Sequence, residues 1–188
     1  IRDKLVTGVQ TCALPIYLTY LDTITGEVSE NPGGLQIVFN DLGTPAKDRW
    51  DAYNELKRLL VAGGMHPDRI RFIHSARNDA EKGRLFAAAR AGHVDVLLGS
   101  TGKMGTGVNV QARAIAMHNI DVPWRPADIQ QRNGRGIRQG NQNAEIAVHN
   151  YVVERSFDAY MWQTVERKAK FIAQVMRGKL DVREMEDI

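Results

Sequence analysis

Short apolar runs rich in β-branched residues alternate with longer amphipathic stretches, and this alternation constrains the fold more than any other feature. Five runs predict strands, at residues 35–39, 69–73, 94–98, 114–118 and 145–153. Helices are predicted at residues 46–61, 79–91 and 126–133, and Ser156 is predicted to cap a long final helix. Strands connected through helices by short loops form a mostly parallel sheet covered on both faces. The predicted fold class is therefore α/β, with three α/β/α layers and a C-terminal helix.

Three of the predicted helices carry apolar residues on one face, and in the helix at 79–91 these are Leu85, Phe86 and Ala89. In the helix at 46–61 the predicted buried face consists of Trp50, Tyr53, Leu56, Leu59 and Leu60, and a glycine pair follows at 63–64. In the final helix the stripe consists of Phe157, Tyr160, Met161, Val165, Phe171, Ile172 and Val175. This last stripe could serve as a partner surface, but we expect it to pack against the domain.

The composition of the 188 residues is that of an ordinary globular protein, with 43% hydrophobic and 25% charged residues. The net charge of +3 permits nucleic acid as a partner without arguing strongly for it. The single cysteine, Cys12, excludes a disulfide framework and a cysteine-rich zinc site within the chain, which fits a reducing, cytoplasmic setting. No apolar run approaches the roughly 20 residues of a membrane-spanning helix, so we expect no membrane partner.

The first 34 residues are predicted to lie outside the core. Residues 6–16 resemble the translated sequencing adapter that recurs at the ends of reading frames from assembled metagenomes, so residues 1–16 are predicted to be non-native and the gene truncated on this side. A frayed terminal segment is the alternative, and both predict that nothing functional lies there. Residues 17–34 are predicted to be a linker rich in turn-forming residues. The domain then spans residues 35–155, and a helical extension follows at 156–188.

A glycine-rich segment at residues 100–109 directly follows the third predicted strand. In parallel sheets the ligand crevice lies beyond the carboxyl ends of the strands, and glycines there let backbone N–H groups approach an anion. Ser100 and Thr101 add hydroxyl donors for phosphate. The segment is not a P-loop, because Leu97 and Met104 stand where a glycine and a Ser or Thr are required. A plain connecting loop is the alternative.

A second constellation, of the form Q-x-x-G-R-x-x-R, occupies residues 131–138. Gln131, Arg135 and Arg138 recur at i, i+4 and i+7, so a helical start would place them on one side. Two arginines that converge on one point suit a concentrated negative charge such as a γ-phosphate, because a guanidinium binds such oxygens bidentately and stays charged. The spacing therefore indicates phosphate chemistry and disfavours a merely solvated basic helix end.

Together these segments resemble the second RecA-like lobe of superfamily 2 helicases, in the Swi/Snf-like branch. Residues 131–138 match helicase motif VI, and residues 100–109 match motif V. Residues 121–126 resemble the D-x-x-W-x-P element between them, and residues 35–42 resemble motif IV. The likeness covers roughly residues 35–175. Within the branch, the chain is most similar to phage and mobile-element proteins that join such a motor to an adenine DNA methylase.

The resemblance implies a role for each matching residue. Arg138 would be the arginine finger, Arg135 a second γ-phosphate contact, and Gln131 would help position phosphates or water. Three further residues would approach the nucleotide: Gly105, Gly107 and Asn109. Four would hold DNA backbone phosphate: Thr101, Ser100, Lys103 and Ser75. We expect Arg135 and Arg138 to point out of the domain. When the lobe stands alone, we expect them to be partly solvated or loosely held by nearby acids.

Other residues attract simpler interpretations. Lys103-Met104 replaces the Arg-Ala that the Swi/Snf branch usually carries, so Lys103 keeps the charge without the guanidinium fork. Trp124 could stack on a base, but we expect it to be packed. His74, His118 and His149 have no metal-ligand spacing, and we expect hydrogen-bonded histidines at strand ends and no metal.

The sequence contains neither a G-x-x-x-x-G-K-S/T loop nor a D-E-x-H/D acid pair. In the family that the chain resembles, a first RecA-like lobe supplies these elements and binds most of the ATP and Mg²⁺. The expected partners are therefore that N-terminal lobe, a methylase domain in the same polypeptide, and the DNA backbone. The expected activity is that of an ATP-dependent DNA helicase or translocase in a bacterial or phage-infected cell, with the isolated chain inactive. The alternative is a nucleic-acid or partner-binding module without an ATP cycle.

Overall fold

The computed structural model describes residues 34–104, 110–137, 140–143, 145–153 and 155–176 in full, and the backbone alone of residues 2–7, 17–21 and 28–32. In chain order the strands are β1 (Arg2–Thr7), β2 (Tyr17–Leu21), β3 (Val28–Pro32), β4 (Leu35–Phe39), β5 (Ile70–Phe72), β6 (Val96–Gly99), β7 (Ala114–Asn119) and β8 (Ala147–Val152). The helices are α1 (Ala52–Ala62), α2 (Asp79–Arg90), α3 (Thr101–Met104), α4 (Pro126–Gly136) and α5 (Phe157–Met176).

The main sheet has the strand order β1-β8-β7-β4-β6-β5, and each of its neighbouring pairs is parallel. The predicted α/β class is confirmed, and each of the five predicted strands is present within a few residues of its expected bounds. β1 lies in the segment predicted to derive from an adapter, an origin that stays a prediction. β2 and β3 form a separate antiparallel pair within the predicted linker.

The core divides into two layers because neighbouring residues of a strand point to opposite faces. On one face Ile37 and Leu97 pack with Phe86 of α2. On the other face Val38 packs with Tyr53, which α1 supplies. Helices therefore cover both faces of the sheet, as the alternating pattern predicted, and the carboxyl ends of the strands are left for loops.

Two helix predictions need correction. α1 begins at Ala52, later than expected, because Asp51 caps it by accepting the Asn54 N–H at 2.9 Å. Trp50 consequently precedes the helix and is 77% exposed, and Leu59 is also exposed, so neither belongs to the buried face. α4 runs to Gly136, about one turn beyond the predicted end.

The apolar stripe of α5 packs only in the first half of the helix. Met161, Trp162 and Val165 are buried. The remaining members of the predicted stripe are exposed: Phe157, Tyr160, Phe171, Ile172 and Val175. The helix has 20 residues, and its buried residues all lie in its first half. The expectation that the whole stripe packs against the domain is therefore wrong. None of the helices described in the structure is long and apolar enough to cross a membrane.

Candidate functional site

The loops that follow β4, β6 and β7 meet at the carboxyl edge of the sheet, because β4 lies between β6 and β7. Each of the three loops carries a polar residue close to the end of its strand: Asp41 after β4, Thr101 after β6 and Asp121 after β7. The first and third loops are joined directly, since the Asp41 N–H donates to Asp121 Oδ2 at 2.8 Å. A polar cluster is thus built on three neighbouring strands, and of these three residues only Thr101 was predicted from the sequence as a site residue.

Arg132 enters this edge from α4 and is fully buried. Its Nε donates to Thr101 Oγ1 at 2.7 Å, and its Nη1 donates to the Asp121 carbonyl at 2.9 Å and to Asn119 Oδ1 at 3.3 Å. Its Nη2 donates to Asp41 Oδ2 at 2.7 Å and to Asp121 Oδ1 at 3.1 Å. All the N–H donors of a guanidinium are therefore used. We call Arg132, Asp41, Thr101, Asn119 and Asp121 the Arg132 network.

The two carboxylates of the Arg132 network share one guanidinium and differ in environment. Burial alone would raise the pKa of Asp41, but hydrogen bonds from Thr101 and Arg132 outweigh it and hold the pKa below its ordinary value. Burial raises the pKa of the more enclosed Asp121, despite the neighbouring Arg132. With both acids ionised, the network carries one more negative than positive charge.

Arg132 is the residue that the sequence analysis missed. It lies inside motif VI, between Gln131 and Arg135, and had no assigned role. A usable signal was present, since Arg132 and Gly136 stand at i and i+4 and therefore share the helix face that packs on the sheet. Asp41 and Asp121, each placed just after a buried strand, were the second part of that signal.

Thr101 lies in the interior of the site. Its backbone N–H donates to Asp41 Oδ1 and its hydroxyl to Asp41 Oδ2, both at 2.7 Å, and the residue is buried. A direct contact between Thr101 and phosphate stays a prediction. In this structure the one hydroxyl proton of Thr101 is donated to Asp41. Ser100 is half-buried, with its Oγ accepting the Lys103 N–H at 3.3 Å, and Lys103 is exposed.

Within motif VI, Arg135 is buried, with 9% of its surface exposed. The expectation of a partly solvated side chain is therefore wrong for Arg135. The longer α4 closes against β7, where a Cβ at Gly136 would lie 2.3 Å from Met117 Sδ, and this brings the last turn inward. Gln131 is exposed. Four predicted residues lie outside the described part of the chain: Arg138, Gly105, Gly107 and Asn109.

Ser75 ends a short 3-10 turn after β5, and this turn packs against α3. Ser75 also lines a cleft of about 420 Å³ between β5 and α2, together with Arg71, Arg84 and His93. The structure therefore places Ser75 beside the turn that carries Ser100 and Lys103, and next to a second group of basic side chains.

Trp124 and the histidines were expected to be packed or hydrogen-bonded, and the structure bears this out for some of them and not for others. Trp124 is 70% exposed, so the expectation of a packed side chain is wrong. His118 is buried and hydrogen-bonded to Gln36 and Tyr151, each at 2.9 Å, which confirms a satisfied histidine at this position. Its ring stacks on His149 at 4.8 Å. For His74 the expectation is wrong at Nδ1, which is buried without a hydrogen-bond partner in the described part of the chain. Among the described residues, His, Cys, Asp and Glu form no cluster of three that could hold a metal.

Comparisons with known proteins agree with this architecture. The model of the helicase conserved C-terminal domain matches residues 21–140. The chain is 41% identical over 85 residues to the Defense against restriction protein B of Escherichia phage P1, a match that covers 45% of this chain and 4% of that protein. The chain thus spans a small fraction of this relative's length.

Two solved structures share the fold. The C-terminal part of the Fun30 ATPase domain superposes with a TM-score of 0.52 at 16% identity, covering 69% of this chain and 37% of the other. The C-terminal domain of S. cerevisiae Dbp5, solved in complex with Gle1 and IP6, superposes with a TM-score of 0.50 at 17% identity, covering 79% and 72%. At these identities the likeness supports the RecA-like fold alone.

Proposed function

Because the chain belongs to the helicase conserved C-terminal domain family, we propose that it is the second motor lobe of an ATP-dependent DNA translocase. In this proposal ATP binds between this lobe and a first RecA-like lobe, which supplies the Walker motifs. Arg138 stabilises the charge that develops on the γ-phosphoryl group, with Arg135 and Gln131 beside it. The single observation that carries the proposal is the convergence of motif V and motif VI at the carboxyl edge of the sheet, where Arg132 joins them.

The nucleotide approaches the glycine-rich segment of motif V at Gly105, Gly107 and Asn109. Mg²⁺ is held mainly by the first lobe and would neutralise phosphate charge there. Arg135 and Arg138 reach the nucleotide when the lobes close, so hydrolysis depends on closure. In this proposal closure must also expose Arg135, because its side chain is buried in this lobe alone.

DNA is proposed to run past the turn after β6. Ser100 and Lys103 contact backbone phosphate, with Ser75 on the adjoining turn and Thr101 beneath them. Phosphate contacts carry no sequence information, so binding is expected to be sequence-independent. The exposed Trp124 favours a contact with nucleic acid over a packing role.

One further partner belongs to the proposal. A methylase domain in the same polypeptide is expected from the mobile-element likeness. The name of the phage P1 relative refers to defence against restriction. A motor that acts on phage or mobile-element DNA is compatible with a role in defence against restriction.

A non-hydrolysing nucleic-acid-binding or partner-binding module is the second candidate, and the burial of Arg135 in this lobe favours it. The two candidates separate when this chain is joined to a Walker-motif lobe and ATP hydrolysis is measured with and without DNA. The translocase proposal predicts DNA-stimulated turnover in the two-lobed protein and none in the isolated chain. DNA binding without turnover in the two-lobed protein would favour the module.

A further inference from the structure

The carboxylate of Asp41 occupies a pocket of converging donors. The Thr101 N–H points to one carboxylate oxygen, and the Thr101 hydroxyl and Arg132 Nη2 point to the other, each at 2.7 Å. A backbone N–H, a hydroxyl and a guanidinium are the donors that proteins use to bind a phosphate. Here an acid of the chain itself fills that place, supplied by a loop 60 residues away from Thr101.

We propose that Asp41 is a resident anion that makes Thr101 a positioning residue, which ties the motif V turn to the motif VI helix through Arg132. This inference rests on the proposed function and changes one part of it. Phosphate of the DNA is contacted by Ser100 and Lys103 on the surface of the turn, while the Thr101 hydroxyl stays inside the Arg132 network.

Displacement of Asp41 by a DNA phosphate is disfavoured by the hydrogen bonds. The hydroxyl of Thr101 has one proton, which it donates to Asp41. Arg132 is fully buried, and all its donors are used. A phosphate that replaced Asp41 would have to accept from the Thr101 hydroxyl and Arg132. It would also lie close to the negative charge of Asp121, which pairs with the same guanidinium.

The consequence for function follows from where Arg132 sits. It belongs to the helix that also carries Gln131 and Arg135, so the Arg132 network fixes that helix relative to β6 and β7. A loss of this tie would displace the motif VI arginines by a small distance. Small displacements of groups that act in the transition state lower kcat far more than they weaken substrate binding.

The test compares isosteric variants in the two-lobed protein that joins this chain to a Walker-motif lobe. Thr101→Val removes the hydroxyl at nearly constant volume, Thr101→Ser keeps it, and Asp41→Asn removes the charge. The matched control is Asp79→Asn, because the Asp79 side chain is 98% exposed at the start of α2. The readouts are kcat and KM for ATP, and the Kd for a fluorescent DNA duplex by anisotropy.

Thr101→Val and Asp41→Asn should each lower kcat by about tenfold or more while the DNA Kd changes by less than about threefold. The double variant should be no worse than the more impaired single variant, because both changes break one network. Thr101→Ser should restore most of kcat, and Asp79→Asn should match the wild type. The proposal is overturned if Thr101→Val weakens DNA binding about tenfold while Asp41→Asn leaves it unchanged or tightens it.

Failure of the proposed function is a separate result. If the wild-type two-lobed protein shows no DNA-stimulated ATP hydrolysis, the motor proposal fails. The positioning role is then decided by urea unfolding of the single and double variants of this chain. Non-additive effects of Thr101→Val and Asp41→Asn support the tie, and additive effects refute it.

Discussion

Arg132 Nη2 and Asp41 Oδ2 lie 2.7 Å apart although 91 residues of sequence separate them. The ion pair connects the helix of motif VI to the loop after β4, and Thr101 of motif V bridges the same two side chains. Three segments that the sequence presents as separate motifs are therefore one hydrogen-bonded unit. This unit organises the carboxyl edge of the sheet before any nucleotide or DNA arrives.

Arg132→Met should destabilise the chain strongly. The change fits an apolar side chain of similar length but leaves Asp41 and Asp121 without their common cation. Breaking a buried ion pair by removing one partner typically costs about 3–5 kcal/mol of unfolding free energy. Urea unfolding followed by circular dichroism measures it.

The control for this prediction is Arg125→Met. Arg125 stands directly before the same helix and pairs with Asp128 at 2.9 Å, but its side chain is 76% exposed. The unfolding midpoint of Arg125→Met should equal that of the wild type. Equal midpoints for Arg132→Met and Arg125→Met would show that the Arg132 network contributes no stability.

Gly136→Ala should destabilise the chain, because its Cβ would lie 2.3 Å from Met117 Sδ and 3.4 Å from Ile146 Cδ1. Met117 can shift only at the expense of core packing, and such overpacking typically costs about 1–3 kcal/mol. Gly134 lies in the same helix with open space around its Cβ position. Gly134→Ala should therefore stabilise the helix by about 0.5–1 kcal/mol. Thermal unfolding of the pair checks the contrast, and shifts of the same sign would contradict it.

His118 should make the stability of the chain depend on pH. Burial, with a smaller contribution from His149, lowers the pKa of His118 from 6.5 to about 3. The lowered pKa keeps the folded ring neutral near pH 7, and its proton lies on Nε2 because the facing Gln36 Oε1 can only accept. The unfolded chain binds a proton below pH 6.5 and the folded chain does not. The stabilisation is therefore complete above pH 6.5 and is lost as the pH falls toward 3.

The slope expected from this one group is about 1.4 kcal/mol per pH unit within that window. His118→Gln keeps a polar side chain beside Gln36 and Tyr151 but cannot titrate. Between pH 6 and pH 4, the unfolding free energy of His118→Gln should fall less steeply with decreasing pH than that of the wild type. The two slopes should differ by about 1.4 kcal/mol per pH unit, the contribution of one proton. Identical slopes for the variant and the wild type would refute the assignment to His118.

The sequence predicted the layers of the fold because their causes are local. Alternating strands and helices, glycines at helix ends and the Ser156 cap act within a few residues, and each of the five main strands appeared near its expected place. The prediction for Trp50 failed at a boundary, because the Asp51 cap started α1 later than the apolar spacing suggested. The prediction for α5 failed because periodicity does not say how much of a long helix finds a surface to cover.

The sequence predicted only part of the site, because most contacts within the site join residues that are far apart in the sequence. The spacing of motif VI identified the helix that faces the site, but spacing alone did not separate the buried Arg132 from the neighbouring arginines. The partners of Arg132 lie 91, 31 and 11 residues away, and no local pattern connects such positions. The burial of Arg135 was missed because it depends on how α4 closes against β7.

The most direct test of the central claim is the DNA-stimulated ATPase rate of the two-lobed protein with Arg138→Ala. An arginine finger in this lobe predicts that ATP binding is kept while turnover falls by about 10³-fold or more, and that Arg138→Lys restores little because an ammonium lacks the bidentate fork. A DNA-stimulated rate in Arg138→Ala equal to that of the wild type would contradict the assignment of this chain as the catalytic second lobe of a DNA motor.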